Sequence, residues 1–323
     1  MLRRGWLFLL AAGLAAIAFV ALFASSWYGS GPLENGRAFV VPAGSTLASV
    51  SRKLEKEGAI RSADSFRLRA RIFGGSTPIK AGEFMLPAGA SGSEILGILQ
   101  GSGVIRRHVT IPEGLPSIMV RERLMTQPLL SGDVAVPPEG SLLPDTYDFE
   151  RGETRAAVLQ RMQEAMKRTL AELWPKRSSS TVVKTPREAL VLASIVEKET
   201  GKPSERRMVA GLYSNRLRKG MLLQADPTII YPITKGKPLG RRIRQSEISA
   251  VNGYNTYTMT GLPVGPITNP GRESIAAVLN PAWTDALYMV ADGKGGHVFA
   301  ATLEEHNANV EKWFAIRRSR GEL

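Results

Sequence analysis

Apolar and polar positions change their spacing three times along the chain. From Gly5 to Ala24, "GWLFLLAAGLAAIAFVALFA", no residue carries a charge, which predicts one continuous helix. At ~1.5 Å per residue such a helix crosses the roughly 30 Å hydrocarbon layer of a bilayer. Beyond a Gly-rich polar stretch, "GSGPLENGR", a short theme occurs three times: "FVVPAGSTLASVSRKL" (39–54), "FMLPAGASGSEILGIL" (84–99) and "VTIPEGLPSIMVRERL" (109–124). Each places strand-like apolar residues before Pro-x-Gly and a helix-like segment after it, with Ser45, Ser91 or Ser117 near the helix start. From residue 109 onward the period alternates. It predicts helices at 153–173, 186–200, 205–219 and 302–318, strands at 109–111, 228–232 and 286–291, and a long Gly/Pro/Asn-rich loop at 252–272. No βαβ repeat is regular enough for a doubly wound sheet, so the class is α+β.

Flanking residues give the apolar helix a direction. Arg3 and Arg4 precede it, no Lys or Arg follows before Arg37, and Trp6, Trp27 and Tyr28 fall where interfacial aromatics are expected. The expectation is a cytoplasmic N-terminus with everything after about residue 28 outside. A cleaved signal peptide is the alternative, since "ALFASS" offers small residues, but its apolar core would be shorter, at ~7–15 residues. The resulting division is an anchor over 1–28, a linker over 29–36, a small α/β module over 37–106 and a larger α+β domain over 107–323.

One helix carries the candidate chemistry. Thr185-Pro186-Arg187-Glu188 has the form of a capping box, which fixes where the helix in "LVLASIVEKETGKP" begins. Counted from there, Leu192, Ile195, Val196 and Glu199 share one face, whereas Glu197 points elsewhere. Gly201 and Pro203 stop the helix just past Glu199. Aliphatic neighbours and the negative end of the helix dipole both disfavour ionisation, and a carboxyl that keeps its proton near neutrality suits general-acid catalysis. The residues alone leave a second reading open, in which Glu199 is a structural group bonded to an arginine of "SERR" (204–207). Ser204 is expected to cap the next helix, so that two capped helices meet at the "TGKPS" corner.

Charge and composition narrow the partners. With 42 Lys and Arg against 29 Asp and Glu, a formal +13, the chain favours anionic surroundings such as lipid headgroups or wall polymers. Export and the lack of any recognition motif argue against nucleic acid. The chain has no cysteine, so it uses no disulfides.

The string "LASIVEKETGKPSERRMVAGLYSNRLRKGMLLQADPTIIY" closely resembles the endolytic murein transglycosylases, the MltG or YceG-like family. The resemblance continues through "LLPDTYDF" (142–149), "YNTYTMTGLPVGPITNPG" (254–271) and "LYMVADGKGGHVFAATLEEHN" (287–307), and covers residues 37 to 315. It implies lytic cleavage of the MurNAc-GlcNAc β-1,4 bond inside nascent peptidoglycan strands, leaving 1,6-anhydroMurNAc ends, with Glu199 as the catalytic residue and no cofactor. It also implies an inner (plasma) membrane anchor with the C-terminal domains on the extracytoplasmic side, and peptidoglycan synthases as partners. Gln224, Asp226, Tyr254, Asn255, Thr256 and Tyr257 become the expected sugar contacts, since they combine hydrogen-bonding groups with flat aromatic faces. His297 and His306 match histidine positions of the family but lack metal-ligand spacing, so no metal is expected. Ser141 and Val264 depart from the family's usual aromatic and Pro. The segment "VVPAGSTLASVSRKLEKEGAI" resembles LysM, a small carbohydrate-binding fold. Two rival functions stay open: a non-catalytic, membrane-anchored wall-binding scaffold, and a glycan hydrolase with Asp226 as second carboxylate.

Overall fold

The uncharged N-terminal run forms α1 (Leu2–Tyr28) in the computed structural model of the chain, which describes residues 2–322. Its Leu10–Tyr28 stretch, of mean hydropathy 2.0 and almost entirely exposed, is long and apolar enough to cross a membrane. The side chains of Arg3, Arg4 and Trp6 lie outside the described residues. Tyr28 is exposed, but Trp27, expected at a membrane interface, is not: it is 2% exposed and packs on Phe66, ring centroids 5.5 Å apart. Gly92 makes this possible, because a Cβ there would stand 2.8 Å from the indole.

Two units follow from the packing: residues up to Arg107 with Phe149–Gly152, and His108–Asp148 with the remainder from Glu153. The first unit adds β1 (Arg37–Val41), α2 (Leu47–Lys56), α3 (Ala63–Phe73), β2 (Gly82–Leu86) and α4 (Gly92–Gln100). β1 and β2 pair antiparallel with Phe39 opposite Phe84, and both phenylalanines sink into a core with Leu54, Leu86, Ile95 and Leu99. The polar stretch after α1 is tied to this unit, for Gly31 N–H donates to Gly89 O at 3.0 Å and Leu33 is buried. Glu83 is buried between two guanidiniums, Arg107 at 2.6 Å and Arg151 at 3.0 Å.

The division between the units falls within β3 (Arg106–Thr110) and β4 (Thr146–Glu150), which pair with each other. All three Pro-x-Gly turns lead a strand into a helix, the third reaching α5 (Ser117–Met125). They do so through Gly44, Gly89 and Gly114 at φ of 75°, 67° and 72°, a region glycine enters without a Cβ penalty. Each serine lies at or beside its helix start, as expected: Ser91 caps α4, Ser45 precedes the Thr46 cap of α2, and Ser117 is the first residue of α5.

The second unit continues with α6 (Arg155–Leu173), α7 (Pro186–Glu199), α8 (Arg206–Arg218), α9 (Asp226–Thr234), the short α10 (Gln245–Ile248), α11 (Arg272–Leu279), the hairpin β5 (Tyr288–Ala291) and β6 (His297–Ala300), and α12 (Leu303–Ser319). α7 is the hub: it packs on α8, α9 and α11, and Leu192, Ala193, Ile195 and Val196 are fully buried. Two expectations are corrected. Residues 228–232 form the middle of helix α9 and not a strand, because Pro227 opens the helix and the branched Thr228 and Ile229 are buried by packing, which overrides their strand preference. Ser204 does not cap α8 but lies inside a 3-10 turn, Pro203–Glu205, and Glu205 at the cap position makes no side-chain cap bond.

Candidate active site

α7 begins where its sequence says. Thr185 Oγ1 accepts the Glu188 N–H at 3.1 Å, Pro186 occupies the first turn, and Glu188 returns a carboxylate to the N–H of Lys184, one residue before the cap. Fourteen residues later the helix ends on Glu199. The two glutamates near this end face different surroundings. Glu197 is turned into the protein, where Oε2 accepts the Gly271 N–H at 2.8 Å and Oε1 stands 3.7 Å from Arg206. Glu113 holds the same guanidinium, at 2.6 Å, while Arg207 donates to Asn280 O. Both arginines of "SERR" are thus engaged away from Glu199.

Glu199 itself is half-buried, but its Oε1 is wholly buried and meets no hydrogen-bond partner. Burial pushes its pKa up to about 7, and the neighbouring Asp226 carboxylate adds to the rise. The Tyr213 hydroxyl and the Arg216 guanidinium act in the opposite sense but do not offset burial. A carboxyl in this state is both proton donor and, once ionised, proton acceptor near neutral pH.

Opposite stands the start of α9. Gln224, at φ 52°, takes the chain through a left-handed corner, and both Gln224 and Asp226 are exposed. The Tyr257 hydroxyl donates to Asp226 Oδ1 at 2.6 Å, and burial together with that carboxylate raises the Tyr257 pKa. Asp226, Tyr257, Tyr213 and Arg216 therefore all act electrostatically in and around the Glu199 carboxyl.

Asn255 and Thr256 lie in this loop without facing solvent; both are completely buried. Asn255 Nδ2 donates to the carbonyls of Ile248 and Ala250 at 2.9 and 2.7 Å, and its Oδ1 accepts Tyr257 N–H. Thr256 Oγ1 accepts Ala225 N–H at 3.0 Å and meets Thr228 Oγ1 at 2.8 Å, while its carbonyl accepts Gln224 N–H. Both side chains bind loop 252–258 to the corner that presents Gln224 and Asp226. Tyr254 packs against Tyr231, ring centroids 4.8 Å apart with the planes tilted, in a cluster with the half-buried Glu139. Ser117 and Asn269 bond that carboxyl, whose pKa burial raises.

Two groups that matter here were not singled out from sequence. Arg216 is only 8% exposed; Nε donates to Leu287 O at 2.6 Å, and one terminal nitrogen donates to Leu223 O at 2.8 Å and reaches Gln224 Oε1 at 3.4 Å. It thus clasps the segment leading into the left-handed corner and places a buried cation near Glu199. Tyr213, three residues earlier on α8, shares its face. That i, i+3 spacing was visible in "YSNR", but a Tyr in a buried helix reads as core. Among the described residues no cluster of His, Asp and Glu is arranged to hold a metal. His297 Nδ1 pairs with Glu205 Oε2 at 2.8 Å, tying β6 to the turn before α8. His306 stacks on Tyr288 at 5.2 Å, and burial with the nearby Arg216 lowers its pKa. Ser141 bonds Pro138 O, and Val264 is exposed beside Gly253.

This arrangement has relatives. The chain is 27% identical over 312 residues to the endolytic murein transglycosylase of Bacillus subtilis, covering 87% of this chain and 85% of that one. It is 28% identical over 319 residues to the endolytic murein transglycosylase of Streptococcus pneumoniae, covering 84% of this chain but 57% of the longer relative. Among solved structures, that of a yceG-like protein from Listeria monocytogenes superposes with a TM-score of 0.53 at 27% identity, over 85% of this chain and 99% of that one. The YceG-like family model matches residues 39–312, a span that includes both glutamates at the end of α7, the Asp226 corner and the β5–β6 hairpin, and the chain belongs to the YceG-like family.

Proposed function

We propose that this chain is a membrane-anchored endolytic lytic transglycosylase that cuts the MurNAc-GlcNAc bond inside peptidoglycan strands. The observation that carries the proposal is Glu199: a carboxyl with one wholly buried, unpartnered oxygen and a pKa of about 7, beside an exposed rim of polar groups. Its acid form protonates the glycosidic oxygen as the bond to C1 breaks, and the GlcNAc side leaves as an alcohol. Its carboxylate then takes the proton of the MurNAc C6 hydroxyl while O6 bonds to C1, which closes the 1,6-anhydro ring and restores the acid. One carboxyl suffices, because the substrate supplies the nucleophile that a hydrolase would draw from water. Asp226 keeps Glu199 protonated before the reaction and faces the positive charge that develops at C1. Gln224, Asp226 and Tyr257 contact the sugars, with Tyr254, Asn255 and Thr256 holding them in place.

α1 serves as a single-pass plasma-membrane anchor with both units extracytoplasmic, a reading its length and exposure support. In the first unit two helices lie between strands that pair antiparallel, which supports a LysM-like module that holds glycan. Synthases that extend the strand are the proposed partners. A hydrolase reading keeps one point in its favour, the exposed Asp226 carboxylate, and the product separates the two. Purified strands digested by wild type should carry anhydro ends by mass spectrometry, and Glu199→Gln should lower their yield by roughly 10²–10⁴-fold. Reducing ends would turn the assignment to hydrolysis; undiminished anhydro product from Glu199→Gln would end it.

A further inference from the structure

α3 presents two faces, and only one belongs to the core. Ala63, Phe66 and Ala70 are buried, while Ser65, Leu68, Arg69, Ile72 and Phe73 form a stripe on the opposite side, with Leu68, Ile72 and Phe73 left 52%, 57% and 41% exposed. One edge of this stripe, Arg69 and Phe73, lies against the last turns of α1. The Arg69 guanidinium sits 4.7 Å over the Phe23 ring, and Phe73 touches Phe23, Trp27 and Tyr28 at centroid distances of 6.1, 6.3 and 6.2 Å. Phe23 precedes the end of the apolar span by five residues, about 7.5 Å along a helix axis. A helix that rests in the interface plane sinks its apolar face by ~5–10 Å, so the depth matches.

A cavity of about 250 Å³ opens where α1 meets α3, and Trp27, Arg61, Ser62, Ser65, Phe66 and Arg69 are among its walls. Arg61 and Arg69 have no carboxylate partner among the described residues, and Arg69 Nε is buried without an acceptor. Arg67 and Arg71 add charge to the same helix, whose only acidic residue is Asp64. Two unpaired guanidiniums, two hydroxyls and an aromatic wall suit a phosphate attached to an apolar chain.

We infer that α3 is a second membrane contact, its Leu68–Ile72–Phe73 stripe set into the outer leaflet and the Arg61–Arg69 cavity closed over the phosphate of an anionic phospholipid. This rests on the reading of α1 as a span, because the lateral contact with α1 fixes the height of α3. The lipid would hold the first unit flat against the bilayer, and the anchor would then set the orientation of the module as well as its distance.

The cysteine-free chain makes the test direct. An environment-sensitive fluorophore is attached to Leu68→Cys, Ile17→Cys or Val251→Cys of the full chain, reconstituted in vesicles of phosphatidylcholine with or without phosphatidylglycerol. Quenching is read from lipids carrying a nitroxide near the headgroup or at the bilayer centre. The label at position 68 should be quenched by the shallow nitroxide, more strongly with phosphatidylglycerol, while the label at 251 is not. Arg61→Gln and Arg69→Gln should each lower the docked fraction relative to undocked by roughly five-fold. Quenching at 17 by the deep nitroxide with none at 68 overturns the inference and leaves the anchor intact, as does quenching at 68 that ignores lipid charge and both arginines. If 17 is not quenched, the span itself fails and the inference with it.

Discussion

Replacing Glu199 by Gln should stabilise the folded chain, and by an amount that grows with pH. In the unfolded chain the carboxyl ionises at the ordinary ~4.3 of an exposed glutamate. In the folded chain its pKa is about 7, because ionisation leaves a charge on a buried oxygen that no donor reaches, next to Asp226. Between these values the folded state holds a proton that the unfolded state has released, so stability falls as pH rises across that window. A rise from 4.5 to about 7 corresponds to about 3 kcal/mol, at 1.36 kcal/mol per unit. Gln has the same shape and no charge to release. Urea unfolding of wild type and Glu199→Gln in detergent should therefore give equal stabilities near pH 4, and an advantage for the variant that levels off at about 3 kcal/mol above pH 7. In Asp226→Asn, which removes the neighbouring charge, the step should begin at the same pH, end at a lower one and be smaller. An advantage independent of pH, or a variant less stable than wild type at pH 8, would refute the claim that this acid is held neutral at the cost of stability.

Arg216→Met removes the cation that favours the ionised form of Glu199. The alkaline limb of the activity profile should move to higher pH, and kcat should fall as the clasp on Leu223 and Gln224 is lost; Arg216→Lys should leave the limb nearer its place. Thr256→Val strips partners from the Ala225 N–H and the Thr228 hydroxyl, and should cost about 1–3 kcal/mol in urea unfolding. Gly211→Ala would set a Cβ 2.6 Å from Ala282 O and 2.8 Å from Thr284 Cγ2, which predicts a loss of about 1–3 kcal/mol, read as a lower Tm.

Local chemistry was legible wherever one residue type had one job. The Thr185-Pro186 start, the aliphatic face of α7 and the Pro-x-Gly turns all follow from backbone rules that tertiary structure did not need to override. Elsewhere packing decided. "TIIY" in α9 has strand preference, and the Pro227 start together with the burial of Thr228 and Ile229 makes it helical. Trp27 reads as an interfacial aromatic until Gly92, 65 positions on, is seen to make room for it. The same limit applied to the site. The face of Glu199 could be counted along a helix, but whether Asn255 and Thr256 reach solvent depends on carbonyls at 248 and 250 and a hydroxyl at 228. Arg216 was hidden for the opposite reason, since a basic residue near a helix C-terminus is ordinarily a solvated one.

Glu197 and Glu199 differ by two positions and about 200° of rotation. One fastens α11 by accepting the N–H of Gly271, and the other keeps an oxygen with no donor at all. A single inserted or deleted residue between the Thr185 cap and Glu197 would turn both by about 100° and slide them by ~1.5 Å, detaching α11 and misdirecting the acid together. The segment from Thr185 to Thr200 therefore has a phase as well as a composition. Length variation has to be absorbed outside it, and a one-residue insertion scan along the chain should find here its longest uninterrupted intolerant stretch.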